Sequence, residues 1–171
     1  ACNILSTVTF ANGSALKQIG NYTFNSCGAL KTIAFPDTLE KIGIGAFRSC
    51  SLKEIVLPKG VTTIAPETFW SNTSLSKVTL SAETVSINAK AFASCKALTS
   101  ITIPATVTFI GENAFFESGL KTATIADAQN WIVVTSDKTE KISSTDFSTP
   151  ATAATIFTKT YYDYQFYKQT T

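Results

Sequence analysis

The chain repeats itself every 22 or 23 residues, and this repeat restricts its fold more than any other feature. The stretch AFRSCSLKEIVLP at 46–58 returns as AFASCKALTSITIP at 91–104. One column of the repeat is phenylalanine, with members 23, 22, 23 and 23 residues apart: Phe24, Phe47, Phe69, Phe92 and Phe115. Such self-similarity is typical of a solenoid, because each short unit can bury its apolar face only against its neighbours.

Each unit also carries the pattern of a short strand. An isoleucine stands five residues before each phenylalanine, and a leucine follows five or six residues after it. From that leucine onward the units read close to L-x-x-I-x-L, whose last two apolar positions alternate as in a half-buried strand. Proline follows at Pro36, Pro58 and Pro104 and ends the strand, because it has no amide hydrogen to donate. The pattern predicts a β-rich solenoid with a parallel β-sheet on one face, its coils stacked about 4.8 Å apart.

After residue 125 the register is lost and then returns weakly. The stretch EKISSTDF at 140–147 echoes EKIGIGAF at 40–47. Ala153 and Ile156 then stand where the leucine and isoleucine of a strand stand in the regular units. We therefore predict a degenerate seventh strand there, and about six to seven coils of 22–23 residues in all.

The tail is also rich in aromatic residues. An insertion of about ten residues around NWIVV precedes the degenerate strand, and YYDYQFYK alternates as a closing strand. A bare solenoid end would expose unpaired strand and core, so a bulky cap is expected. We expect residues 1–125 to form the leucine-rich solenoid and 126–171 to form a degenerate last repeat with a β-rich aromatic cap, within one structural domain. The first ten residues fit the second half of a unit, so the chain is expected to begin inside a repeat.

Four cysteines share one repeat position, three residues after the phenylalanine column. They are Cys2, Cys27, Cys50 and Cys95, and Asn72 and Ser118 occupy the position in two other coils. The shared position predicts a ladder of small buried side chains that donate to turn carbonyls. A disulfide between neighbouring coils remains an alternative, but it would close only a short loop and leave Cys95 unpartnered, which favours free thiols. Ala1-Cys2 also resembles the end of a lipoprotein cleavage site, although the ladder accounts for Cys2 without it.

Charge and composition argue against several classes of function. The 14 basic and 12 acidic residues are scattered, with Arg48 the only arginine, so nucleic acid is not an expected partner. Histidine is absent, which removes the usual general base and the commonest zinc ligand. We therefore expect no enzyme activity, no metal site and no cofactor. No stretch approaches the length of a membrane span.

The pattern I-x-x-x-A-F-x-x-C-x-x-L-x-x-I-x-I-P is similar to the BspA-like leucine-rich repeats. The resemblance covers roughly residues 2–125, and 139–158 more weakly; Asn72 in the cysteine column is one of the clearest departures. It implies a right-handed leucine-rich repeat superhelix on a cell surface, usually of a bacterium. It also implies a non-catalytic adhesin that binds host matrix proteins or other cells. A fold shared by many functions does not identify the ligand.

Two surfaces of the predicted solenoid could meet a partner. The outward side of the strands is rich in threonine and lysine, including Lys53 and Lys77, and has no aromatic residue. Because interaction hot spots favour Trp, Tyr and Arg, this side is expected to be a polar, weakly binding surface or simply a solvated β-face.

The second surface is the column that directly follows the phenylalanines: Asn25, Arg48, Trp70, Ala93 and Phe116. Trp70 and Phe116 are two coils apart, about 10 Å at the strand spacing, with the small Ala93 between them. They predict a shallow apolar notch for a peptide side chain or a sugar ring. Alternatively, both rings fold against neighbouring turns. Trp131 would add a further contact if the insertion protrudes.

Two functions are consistent with these features. The leading hypothesis is a recognition or adhesion module at the cell surface, or secreted, that binds a host matrix protein, another cell-surface protein or a glycan as a monomer. The alternative is a structural spacer that presents another domain and binds nothing itself. Exposed rings at Trp70, Phe116 and Trp131 would favour binding, and buried ones would favour the spacer.

Overall fold

Two columns of short strands run along the computed structural model, which describes residues 2–135, 139–141, 147, 149–158 and 164–169. The first column follows the L-x-x-I-x-L pattern and contains β1 (Thr7–Val8), β3 (Thr32–Ile33), β5 (Glu54–Val56), β7 (Lys77–Thr79), β9 (Ser100–Ile103) and β11 (Thr122–Ile125). The second column contains β2 (Gln18–Ile19), β4 (Lys41–Ile42), β6 (Thr63–Ile64), β8 (Ser86–Ile87) and β10 (Phe109–Ile110). Six strands in one column and five in the other make about five full turns.

The strands pair in parallel between neighbouring coils, as the repeat predicts. In the first column β1 pairs with β3, β5 with β7, and β9 with β11. In the second, β2 pairs with β4, and β8 pairs with both β6 and β10. Equivalent repeat positions face each other, for example Ile64 and Ile87. The parallel β-solenoid expected from the sequence is confirmed.

The segments around the phenylalanines form a third side, built from turns rather than strands. Two residues in each of these segments have a left-handed backbone, with φ between 54° and 62°: Tyr22, Gly45, Glu67, Lys90, Asn113, Ser26, Ser49, Ser71, Ser94 and Glu117. A positive φ is uncommon outside glycine. Here it alternates the direction of the amides, so that the N–H groups of Tyr22, Phe24 and Ser26 all donate to the next coil at 2.8 Å. The same pattern in later coils gives the turn side its own inter-coil ladder.

The phenylalanine column is a continuous stack at the centre of the molecule. Its five rings lie nearly parallel, with centroids 5.2 to 5.7 Å apart from coil to coil. The rings of Phe47, Phe69, Phe92 and Phe115 are fully buried, and the leucine column that contains Leu30 and Leu52 is buried beside them. The stacked core predicted from the period is confirmed, and it fixes which side chains of each coil face outward.

The tail forms a cap that differs from the predicted seventh strand. Its elements are β12 (Trp131–Val134), β13 (Thr139–Lys141), α1 (Pro150–Thr158) and β14 (Gln165–Lys168). The prediction of a strand at Ala153 and Ile156 is wrong, because both residues lie in α1. Their separation of three residues fits a helix as well as the repeat. Pro150 opens the helix and Thr149 caps it through its hydroxyl, which accepts the N–H of Thr152 at 3.2 Å.

The cap closes the open end of the second strand column. β14 lies antiparallel between β10 and β12, and β12 also pairs with β13. The ring of Phe157 continues the phenylalanine stack at 5.7 Å from Phe115. The predicted closing strand is thus present as β14, and the insertion at NWIVV supplies β12. The echo of the repeat at 142–146 and the first three residues of YYDYQFYK (161–163) lie outside the described residues.

Candidate binding surfaces

We define the turn face as the outward side chains of the left-handed turn segments. It includes two columns, Asn25, Arg48, Trp70, Ala93 and Phe116, and Tyr22, Gly45, Glu67, Lys90 and Asn113. Each coil therefore supplies one residue of each column on either side of its buried phenylalanine. The inter-coil ladder of the turns holds these side chains at the spacing of the coils. A side chain on this face meets neighbours from the coils before and after it.

Trp70 is the centre of a charged cluster on the turn face. The Arg48 guanidinium from the preceding coil lies 4.0 Å from the Trp70 ring centroid, and the Lys90 ammonium from the following coil lies 5.6 Å from it. Glu67 holds Arg48 in place, since its carboxylate accepts from Nη1 at 2.9 Å. Trp70 is half-buried and Arg48 remains partly exposed. Cation–π contacts of this kind contribute about 0.5–1 kcal/mol each at exposed sites, so both cations favour positions beside the Trp70 ring.

The three residues of the predicted notch differ in exposure. Ala93 is only 2% exposed, whereas Trp70 and Phe116 are half-buried in the coils on either side. The ring of Trp70 is partly covered by Arg48. The surface therefore combines aromatic and cationic groups rather than being purely apolar. Whether the notch holds a ligand stays a prediction.

Trp131 is not available to a partner, so its inclusion among the binding residues is wrong. Its side chain is 1% exposed, and its ring packs edge-on against Phe147 with centroids 6.2 Å apart. The indole Nε1 donates to the carbonyl of Asp127 at 3.0 Å. The insertion does not protrude, because β12 is taken up into the antiparallel cap sheet.

Lys168 of β14 binds the Asp127 carboxylate at 2.5 Å and holds the pKa of that carboxyl below its usual range.

The outward side of the first strand column, which we call the strand face, carries the two predicted lysines. Lys53 and Lys77 are both exposed, and Lys77 pairs with Glu54 of the preceding coil at 2.6 Å. A depression of about 470 Å³ lies beside Lys53 and reaches Phe35 and Val56. The expectation of a threonine- and lysine-rich face without aromatic residues is incomplete, because Phe35 is only half-buried there. The sequence signal was phenylalanine at 10 and 35, where later coils have leucine or isoleucine.

The cysteine column behaves as predicted in the interior of the solenoid. Cys27, Cys50 and Cys95 are buried free thiols. Cys50 donates to the carbonyl of Phe24 at 3.1 Å, and Cys95 donates to that of Phe69 at 3.3 Å. Burial raises the pKa of the Cys50 and Cys95 thiols to about 12, which keeps them protonated and able to donate. These cysteines are structural donors rather than reactive groups.

Two members of that column depart from the pattern. Cys2 is exposed, so the prediction that it is a buried member of the ladder is wrong. Ser118 is inside the solenoid, but its hydroxyl has no hydrogen-bond partner among the described residues. A serine hydroxyl reaches less far than a thiol, which accounts for the missing contact.

No other chemical site stands out in the part of the chain that the structure describes. Among those residues, no three His, Cys, Asp or Glu side chains gather as a metal ion would need. None of the described helices is long and apolar enough to cross a membrane.

Solved structures of bacterial proteins are similar to this chain. Pneumococcal vaccine antigen PcpA has a TM-score of 0.63 and 30% identity, over 74% of this chain and 31% of PcpA. A leucine-rich cell surface protein from Faecalibacterium prausnitzii has a TM-score of 0.57 and 30% identity, over 76% of this chain and 42% of that protein. A leucine-rich repeat protein from Bacteroides ovatus has a TM-score of 0.59 and 26% identity, over 70% and 43%. The chain thus spans less than half the length of each of these proteins.

The family can be identified from the repeats themselves. No curated protein matches the chain. A model of the BspA type leucine rich repeat region matches residues 17–136 in six copies, which is more than half of the sequence. Together with the parallel solenoid and its bacterial structural neighbours, this match shows that the chain belongs to the BspA-type leucine-rich repeat family.

Proposed function

We propose that this chain is a non-catalytic recognition module of a bacterial cell surface that binds a protein or glycan through its turn face. The observation that carries the proposal is the cluster of Trp70, Arg48 and Lys90 beside the buried Ala93. Tryptophan and arginine are the residue types most enriched at energetic centres of interfaces. The cluster is held by intramolecular contacts, so a ligand would pay little ordering entropy.

The cell-surface location is supported by the relatives. The similar protein from Faecalibacterium prausnitzii is described as a cell surface protein, and PcpA as a vaccine antigen. Leucine-rich repeats of this family are generally binding modules without catalysis. A host matrix protein, another cell-surface protein or a glycan is the partner class that fits such a location, with the chain acting as a monomer.

The structural spacer remains a second candidate because of two observations. Trp131 is buried in the cap, and Arg48 already covers part of the Trp70 ring. Both contacts stabilise the chain and neither requires a partner. If the chain is a spacer, we expect none of its surfaces to bind host matrix proteins, other cell-surface proteins or glycans.

Binding of the chain to an array of host matrix proteins and glycans separates the two functions. The informative variants are Arg48→Ala and the double variant Trp70→Ser/Phe116→Ser. Val85→Ser is the matched control, because Val85 is an exposed apolar residue away from the turn face. The recognition module predicts a signal that the turn-face variants lose and the control keeps, while Arg48→Ala lowers the unfolding temperature by only about 2–4 °C, as loss of its surface contacts should. Absence of any signal, or equal signal from all variants, would reject the turn-face site.

A further inference from the structure

The depression beside Lys53 continues as a trough across the first three coils. Its larger part, about 470 Å³, is lined by Phe35, Val56 and Pro58, and a second part of about 350 Å³ reaches Phe10 in the first coil. The two parts share Ala34, so one surface connects them. The larger part follows the strands from Thr32 and Lys53 to Asp37 and Pro58, and so suits an extended chain laid along them rather than a compact ligand.

The trough lies between the second and third coils of the first strand column, whose strands are not paired with each other; the fourth and fifth coils are also unpaired, with a smaller depression of about 150 Å³ beside them. β3 pairs with β1, and β5 pairs with β7, so these two neighbours are not paired with each other as strands. The bond from Lys53 N to Lys31 O, at 3.2 Å, joins their backbones just before both strands begin. Ala34 stands in the outward column where most other coils have threonine, so it leaves the edge of Phe35 uncovered.

Several apolar side chains of the trough are accessible to solvent. Val56 is 56% exposed, which makes it one of the most exposed large apolar residues of the described chain. Phe10 and Phe35 are only half-buried and lie in the same trough. An aliphatic side chain placed between Phe35 and Val56 would remove apolar surface of both partners from water.

The charges around the trough are unequal at its two ends. Lys31 and Lys53 precede their strands at one end, and neither has an ion-pair partner within the described residues. Asp37 follows β3 and lines the other end. Glu54 lies between them but is paired with Lys77. A ligand therefore meets two lysines at the start of the strands, whereas beyond their ends Asp37 is offset by Lys59, which holds the same repeat position in the next coil.

We propose that this trough binds an extended segment of a protein partner. The segment contains an aliphatic residue and has acidic residues on only one side of it, either before or after it in the partner's sequence. The aliphatic side chain enters between Phe35 and Val56, and the acidic residues pair with Lys53 and Lys31. At the other end the charges of Asp37 and Lys59 offset each other, so acidic residues are attracted mainly to the lysine end, and this sets the direction of the segment. The proposal rests on the function proposed above, because it assumes that the chain is a recognition module, but it assigns a different surface and a defined partner chemistry.

The test is a nuclear magnetic resonance titration of the isotopically labelled chain with synthetic pentapeptides at low salt. The probe has two glutamates, one leucine and two serines. One comparison peptide replaces the glutamates by lysines, and another replaces the leucine by glycine. We expect amide shifts to change around 32–37 and 53–58. We also expect the glycine peptide to bind at least about tenfold more weakly, the consequence of losing one buried aliphatic side chain.

Three variants of exposed residues locate the interaction without disturbing the core. Lys53→Glu should weaken binding of the glutamate peptide by about threefold to fivefold, as expected for reversal of a surface charge. Ala34→Gln should weaken it by filling the trough. Lys121→Glu is the matched control, because Lys121 occupies the same repeat column as Lys53 in a coil outside the trough, and it should change the affinity by less than about twofold.

Several results would overturn the proposal. They are equal affinity for the glutamate and lysine peptides, shift changes that lie outside the trough, and tighter binding of an acidic oligosaccharide than of the peptide at this site. The outcome is independent of the turn-face test. Loss of array binding in Trp70→Ser/Phe116→Ser but not in Lys53→Glu, with no peptide binding, would reject the trough and leave the proposed function standing. Peptide binding without any array signal would reject the turn-face site and leave the trough proposal standing.

Discussion

The side-chain amide oxygen of Asn72 accepts the backbone N–H of Leu52, one coil earlier, at 3.3 Å. The reason lies in the length of that earlier coil. Cys50 and Leu52 are two residues apart, whereas Cys27 and Leu30 are three apart, and Leu30 N donates to its own coil's Cys27 carbonyl at 2.9 Å. The missing residue removes this local bond from Leu52. Asparagine in the next coil provides the acceptor that a cysteine would lack.

Replacement of Asn72 by alanine should therefore destabilise the chain by about 2 to 4 kcal/mol, because two buried backbone groups lose their partners. Asn72 Nδ2 also donates to the carbonyl of Phe47 at 2.7 Å, so both that oxygen and Leu52 N would be left unsatisfied. Asn72→Cys is the matched control: it restores the donor, as Cys50 and Cys95 do, but offers little to Leu52. Urea unfolding should place it between the parent and Asn72→Ala. Equal free energies of unfolding for the two variants would contradict this account.

Position in the phenylalanine stack should determine the cost of removing a ring. Phe69 is fully buried and stacks on a ring in each direction, at 5.7 and 5.5 Å. Phe69→Ala should lower the free energy of unfolding by about 3 to 5 kcal/mol, as other large-to-small core changes do. Phe24 is half-buried at the end of the stack and contacts one neighbouring ring of the column, so Phe24→Ala should cost less. Similar unfolding temperatures for Phe69→Ala and the parent would rule out a continuous core.

Stability should fall above about pH 9 because of the buried thiols. Desolvation raises the pKa of Cys50 and Cys95 from the ordinary 9.0 to about 12 in the folded chain. Below pH 9 both states hold these protons, and the contribution to stability is fully present. Between 9 and 12 the unfolded chain releases protons that the folded chain retains, so the contribution is progressively lost. Cys95→Asn keeps a hydrogen-bond donor that does not ionise, and its unfolding free energy should fall less steeply with pH than that of the parent. Parallel pH curves would exclude the thiol as the cause.

The solenoid itself was predictable because its information is repeated in every coil. The period fixes the stacked phenylalanines, and the shared position of Cys50 and Cys95 predicts buried donors; both features follow from one rule applied several times. The tail could not be predicted in the same way. Ala153 and Ile156 satisfy the spacing of a strand unit and of a helix face, and only packing against Phe115 and the cap sheet selects α1.

The surfaces were harder to predict than the core. Trp70 and Arg48 were placed on one face from their column, and the structure brings them to 4.0 Å. The trough depends on how two neighbouring coils meet beside Ala34, and no single column of the sequence records that relationship. In the sequence, Asn72 was visible only as a departure from cysteine. Its role became clear only from the structure, which places Asn72 beside Leu52 of the shorter preceding coil. Repeats thus reveal what coils share, whereas binding sites arise where neighbouring coils differ.

Substitution of Gly45 should destabilise the chain for two reasons, its left-handed backbone and its contact with the Tyr22 ring. Its φ is +56°, and a Cβ added there would lie 2.4 Å from the Tyr22 ring, which lies across the glycine on the turn face. Gly45→Ala should cost about 1 to 2 kcal/mol for the left-handed backbone, plus the loss of Tyr22 packing. In the Tyr22→Ala background there is no Tyr22 packing left to lose. A double-mutant cycle measured by urea unfolding should therefore show coupling of about 0.5 to 1 kcal/mol between the two positions. Gly28→Ala is the control, because nothing lies within 4 Å of its Cβ position, and it should be neutral or slightly stabilising. Additive effects of the Gly45 and Tyr22 changes would mean that the ring does not hold this position.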